Sequence, residues 1–163
     1  MNSTAVNRND IPAFGLPGRI QSPNSQPRSI ALVGLGEGGA AIARGVATQG
    51  LAQVEVHVLA KSAMDGDALA AIKAGGGDLQ RDLTGADMIF IVACPGDDVG
   101  LAPVVSSIAH SRNHPVTALY VVPREVAMGG EDDTLRTLRA AVEMLVVVSD
   151  DSYVPAMIAA LGA

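Results

Sequence analysis

Tryptophan is absent from this chain, and its 163 residues hold only two Phe and two Tyr. A core without large aromatics has to be filled by Ala, Val, Leu, Ile and Met, which suits buried parallel strands under small-residue helices. The same shortage excludes a nucleic-acid reader that stacks bases on aromatic rings. Basic residues are scarce too. Eleven Lys and Arg against 17 Asp and Glu give a net charge of -6, with no positive block to meet a phosphate backbone or an anionic membrane. No apolar run approaches the roughly 20 residues of a spanning helix, and the N-terminus has no apolar secretory core. The single cysteine, Cys94, excludes an internal disulfide and fits a reducing cytoplasm.

What is present is apolar. Hydrophobic residues make up 48% of the chain, too many for a disordered one. Residues 1–29 are the exception: rich in Asn, Ser, Pro, Gly and Gln, they read as a flexible arm whose short apolar clusters, Ile11-Pro-Ala-Phe14 and Leu16, suit docking on a partner or, with the greater weight, an unstructured leader. Residues 30–163 read as one α/β domain. Strands are expected at Ile30–Val33, Val54–Leu59, Met88–Ala93, Thr117–Val122 and Met144–Val148. Helices are expected at about Gly39–Thr48, Ala63–Lys73, Ala102–His110 and Val154–Leu161, with a helical turn at Leu79–Leu83. Glu131-Asp-Asp fits a helix N-terminus, and Leu135, Leu138 and Val142 form the apolar stripe of the helix that follows. Alternating strands and helices predict an open, doubly wound parallel sheet of five strands, in the order 2-1-3-4-5 or a close relative. Ligands bind such sheets at the carboxyl ends of the strands.

The first of those ends carries the strongest motif. Ile30-Ala-Leu-Val33 runs into Gly34-Leu-Gly36-Glu37-Gly38-Gly39, and Gly34, Gly36 and Gly39 fit G-x-G-x-x-G. Such glycines allow a sharp turn and a close backbone approach to a phosphate at the helix N-terminus.

Four phrases resemble the GTPase domain of the FtsZ/tubulin family, bacterial FtsZ in particular. They are Val33-Gly-Leu-Gly-Glu-Gly-Gly with Gln49-Gly-Leu-Ala-Gln-Val-Glu-Val56, Leu83-Thr-Gly-Ala-Asp-Met-Ile-Phe-Ile-Val-Ala93, Leu101-Ala-Pro-Val-Val105 with Ile108-Ala109, and Thr134–Val148 with Ser149-Asp-Asp151. The likeness spans about Ser29–Asp151. It implies a Rossmann-like nucleotide-binding sheet, with GTP or GDP as the nucleotide and Gly34, Gly36, Glu37, Gly38, Gly39, Gly96, Asp97, Asp98 and Gly100 as the positions facing it. The chain also departs from the family. The signature G-G-G-T-G-[TS]-G is replaced by Pro95-Gly-Asp-Asp-Val-Gly100, in which two carboxylates repel a triphosphate and Pro95 removes a backbone donor. The family's Asn after the glycine loop falls on Ala41, and its N-T-D falls on Ala60-Lys-Ser62. The segment between the second helix and Gly85 is short. Relative to the family, the second domain, with the acids that complete hydrolysis in the next subunit, is expected to be lacking. GTP hydrolysis of the FtsZ type is therefore not expected.

Other residues carry two readings each. Asp97 and Asp98 suit Mg²⁺ ligands, or, with the greater weight, the N-cap and first-turn acid of a helix over Val99–His110. Cys94 at a strand end suits a nucleophile, but no His–Asp pair is placed to activate it, which favours a small core residue. His110 and His114 have zinc-pair spacing, yet Asn113 and Pro115 end the helix between them. His57 sits within a strand, so no metal is assigned. Lys61-Ser62 suits a 2′-phosphate, and Gly85–Val99 also resembles a dehydrogenase's strand and loop. Arg124, Arg136 and Arg139 read as solvated charge.

The expected function is that of an FtsZ-like domain working without catalysis, by self-association or by binding a protein partner as an adaptor, regulator or accessory factor, with nucleotide binding weak or lost. The glycine-loop face is the expected interface. A small NAD(P)-binding redox or redox-sensing protein is the alternative, and a GTP-binding switch without hydrolysis the third.

Overall fold

The computed structural model describes residues 28–59, 78–126 and 132–162. Most of the arm, the expected helix at Ala63–Lys73, Lys61-Ser62 and Glu131 lie outside the described residues. Five strands, β1 (Ile30–Leu35), β2 (Val54–Leu59), β3 (Met88–Ala93), β4 (Val116–Val121) and β5 (Met144–Val148), form one sheet in the order β2-β1-β3-β4-β5. Every neighbouring pair is parallel. This is the doubly wound α/β architecture expected from the alternating pattern. The helices are α1 (Gly36–Ala47), α2 (Leu79–Gly85), α3 (Ala102–His110), α4 (Asp133–Ala141) and α5 (Tyr153–Gly162).

Strand periodicity explains the two layers. Successive side chains point to opposite faces, so Ile30, Leu32, Phe90, Val92, Leu119 and Val121 pack on one side, with Ala43 and Val46 of α1 and Val154 and Ile158 of α5. Ala31, Val33, Ile89, Ile91, Ala118 and Tyr120 pack on the other, with Leu83 of α2, Val105 and Ala109 of α3 and Leu138 of α4. Both faces of β1 and β3 are covered, which is why these strands read as unbroken apolar runs.

Several boundaries differ from the sequence expectation. β1 runs two residues further, to Leu35, and α1 starts at Gly36 rather than Gly39. Glycine is a poor helix former, so the loop reads as non-helical until its tertiary partner is seen. β4 starts and ends one residue earlier than expected. The turn at Leu79–Leu83 is the α2 helix, capped by the Asp78 carboxylate on the Arg81 N–H at 3.0 Å. Leu135 and Leu138 of the expected stripe are buried, whereas Val142 stands just past the end of α4 as its C-cap.

Candidate functional site

The chain reverses its winding direction between β1 and β3, and the crevice of a doubly wound sheet opens outside the carboxyl ends of those two strands. Here the crevice is occupied by a side chain of the same protein. Beyond β3, Cys94-Pro95-Gly96-Asp97 makes a tight turn, closed by the Asp97 N–H donating to the Cys94 carbonyl at 3.1 Å. Pro95 sets the first central position, and Gly96, at φ 81°, takes the left-handed second position that a type II turn demands. The turn throws the Asp97 carboxylate back over the end of β3 and onto the start of α1. Its Oδ1 accepts from the Gly38 N–H at 2.9 Å, and its Oδ2 from the Gly39 N–H at 2.8 Å and the Cys94 N–H at 2.7 Å.

These first-turn N–H groups of α1 are the donors that a bound phosphate would use. An aspartate satisfies them instead, with charge-assisted bonds and with its negative charge at the positive end of the helix dipole. Leu35, the N-cap residue of α1, supplies no side-chain cap. The glycine pattern fits this internal ligand. Gly36 has φ 71°, and a Cβ there would come within 2.5 Å of the Asp97 Cβ. A Cβ on Gly39 would collide with the Val92 carbonyl, so its absence lets α1 lie against the end of β3.

The expectation that Asp97 and Asp98 cap and charge a helix over Val99–His110 is therefore corrected. That helix, α3, starts at Ala102 with Leu101 as its N-cap, too far along the chain for either acid. Asp97 serves α1, while Asp98 accepts from the Gly100 N–H at 3.0 Å. Glu37 is exposed in the first turn of α1, and Gly96 and Gly100 are exposed in the loop.

A second carboxylate holds the far side of the turn. Asp132, the N-cap of α4, accepts from the Leu135 N–H at 2.7 Å, the Tyr120 hydroxyl at 2.8 Å and the Gly96 N–H at 3.2 Å. The Thr134 hydroxyl adds a bond to the Asp97 carbonyl at 2.8 Å. Burial works against the charge on Asp132, but the hydrogen bonds from Leu135, Tyr120 and Gly96 outweigh it and hold the carboxyl below its ordinary value. Burial, then the hydrogen bond to Asp132, pushes the Tyr120 hydroxyl well above the usual tyrosine range. The turn is thus fastened to α1 by Asp97 and to α4 by Asp132 and Thr134.

Two hollows flank it. One, of about 380 Å³, is lined by Gly38, Ile42, Cys94, Val121 and Asp151, with Arg124 at its side. The other, of about 480 Å³, lies toward α4 against Gly96, Asp98, Asp132 and Thr134. Cys94 borders the first, and its thiol is pushed up to about 11 by burial and by the charges of Asp97 and Asp151. It stays protonated at neutral pH, the opposite of an activated nucleophile. His110 pairs with Glu143, and His57 lies 3.3 Å from Asp82. Among the described residues, no three His, Cys, Asp or Glu side chains converge as a metal ion requires. No described helix is long and apolar enough to cross a membrane.

Sequence reasoning saw the residues of the crevice but missed the bond between them. The available signal was Pro95-Gly96, a turn dipeptide immediately before an aspartate at the carboxyl end of a buried strand. No protein-family model matches the chain, and no curated protein matches it.

Proposed function

We propose that this domain works without catalysis, as an FtsZ-like binding module that associates with protein and has given up its phosphate position to its own Asp97. The single observation that carries the reading is the Asp97 carboxylate on the N–H groups of Gly38, Gly39 and Cys94. A nucleotide phosphate needs the Gly38 and Gly39 donors. To reach them it must displace a carboxylate held by charge-assisted hydrogen bonds, and then lie beside the negative charge it has displaced. The Cys94 thiol and the Tyr120 hydroxyl both have raised pKa values, which makes each a poor nucleophile at neutral pH. The resemblance to the FtsZ GTPase domain supplies the ancestry of the loop, and the departures in its signature supply the reason for lost turnover.

Calorimetric titration with GTP, GDP, NADH and NADPH, together with a GTP turnover assay, tests this reading. Expected are no turnover and no saturable binding. Measurable GTP turnover by the purified protein overturns it. Saturable NADPH binding without guanine preference puts the dinucleotide reading in its place. Tight GTP binding that is lost when Gly36 and Gly39 are replaced by bulky residues puts the switch in its place.

A further inference from the structure

The two edges of the sheet are finished differently. β2 carries a buried His57 that faces Asp82 of α2 and an exposed Glu55, and an exposed charge keeps an edge from pairing with another chain. β5 reads Met-Leu-Val-Val-Val and has none. Met144 is 59% and Val147 46% exposed, two of the exposed large apolar side chains of the described residues.

Backbone direction shows what this edge offers. The Val148 carbonyl accepts from the Val122 N–H at 2.7 Å. The N–H and C=O of one strand residue point to the same side, and the side alternates along the strand. Met144, Val146 and Val148 therefore direct their backbone groups to β4, and Leu145 and Val147 direct theirs outward. Among the described residues, no strand pairs with that side.

We infer that β5 is a self-association edge and that its occupant is β5 of a second copy of this chain, antiparallel, about a two-fold axis at Val146. In that register, Leu145 faces Val147 of the second copy as a hydrogen-bonded pair, exchanging both N–H···O bonds. The two-fold repeats the exchange, so each outward backbone group of the strand finds a partner. Side chains agree with the backbone: Met144 meets Val148, Leu145 meets Val147, and Val146 meets itself, so each apposed pair is apolar. The first charged residue beyond the strand, Glu143, faces Ser149 rather than another acid. Its carboxylate is already engaged by the Val116 N–H at 2.8 Å and by His110. Two chains of charge -6 thereby meet along a strip free of charge. A five-residue edge buries less than a standard interface, so the dimer belongs to the weak, concentration-dependent class.

This inference deepens the association reading but uses the lateral edge of the sheet, away from the glycine loop. Its test is sedimentation equilibrium over roughly 1–300 µM protein, with Val147→Lys as the breaking variant. Gln53→Lys, the same charge change on an exposed residue beside the other edge, is the control. The wild type and Gln53→Lys should approach twice the 16.6 kDa chain mass, and Val147→Lys should stay at the chain mass. In the wild type, amide exchange at Leu145 and Val147 should slow as concentration rises. A wild type that is monomeric throughout overturns the inference, as does a Val147→Lys protein that dimerises like it. Protection of those amides at every concentration also overturns it, because the edge is then covered by the protein's own chain. These readouts are independent of the nucleotide titration: a monomer that binds no nucleotide removes the edge pairing alone, and a dimer that hydrolyses GTP removes the binding-module reading alone.

Discussion

Helices α1 and α4 start on either side of the same turn, and each begins with N–H groups that need an acceptor. For α4 the acceptor is local: Asp132 sits at the N-cap and takes the Leu135 N–H three residues on. For α1 it is distant: Asp97 lies 59 residues from Gly38 and 58 from Gly39, while the local N-cap, Leu35, contributes no side-chain bond. A glycine loop therefore marks a helix start that wants an anion, without saying whether the anion is a ligand or part of the protein. The two carboxylates also hold one loop in common, since Asp132 accepts from Gly96 and Thr134 donates to the Asp97 carbonyl.

Substitutions can break this pair of caps in order of severity. The largest effect is expected at Gly39, where Gly39→Val drives a side chain into the Val92 carbonyl. It should cost about 3 kcal/mol of stability in urea unfolding, because backbone rather than a flexible side chain is in the way. Next is Asp97→Ala, which strips the acceptor from three N–H groups at once. A loss of about 2–3 kcal/mol is expected by the same measurement. A loss below that of Asp132→Ala would contradict the importance given to the distant cap.

Asp132→Ala removes one local cap and the partner of Tyr120, and should cost about 1–2 kcal/mol. It also has a pH signature. The folded-state pKa of Asp132 lies below its ordinary 3.8, so the unfolded chain binds the proton more readily. The stability this carboxylate contributes is present above pH 3.8 and is lost as pH falls through the lower folded value. Thermal melts from pH 5 downward should show a shallower acid loss in Asp132→Ala. Tyr120→Phe should give the smallest change, about 0.5–1 kcal/mol, with the Asp132 pKa rising toward its ordinary value in carbon-detected NMR. An unmoved pKa would show that the Tyr120 hydroxyl does little for that charge.

The same contrast explains what the sequence disclosed. Ile30–Val33, Met88–Ala93 and Met144–Val148 are apolar runs bounded by turn residues, so the strands and their order could be read from pattern and topology rules alone. Asp132 and Asp133 before an apolar stripe were legible as a helix start for the same local reason. Asp97 was not. Propensity and spacing place it as a cap on α3, its neighbour in sequence; the family resemblance puts it across from the glycine loop, but only the fold shows it bonded to α1. Asp97 and Asp98 are alike as sequence; the Pro95-Gly96 turn decides which one faces inward. The bonds of Tyr120 and Thr134 are equally non-local, and neither residue stood out in the sequence.

Amide NMR of the glycine loop distinguishes a helix start held by the protein's own carboxylate from an open phosphate site. In the wild type, adding pyrophosphate should leave the N–H resonances of Gly38, Gly39 and Cys94, the three that Asp97 accepts from, in place. In Asp97→Asn all three resonances should move from their wild-type positions, because the charged acceptor is gone. Resonances of Gly38 and Gly39 that respond to pyrophosphate in the wild type, and are indifferent to the loss of the Asp97 charge, would contradict the claim that the protein's own carboxylate holds this site.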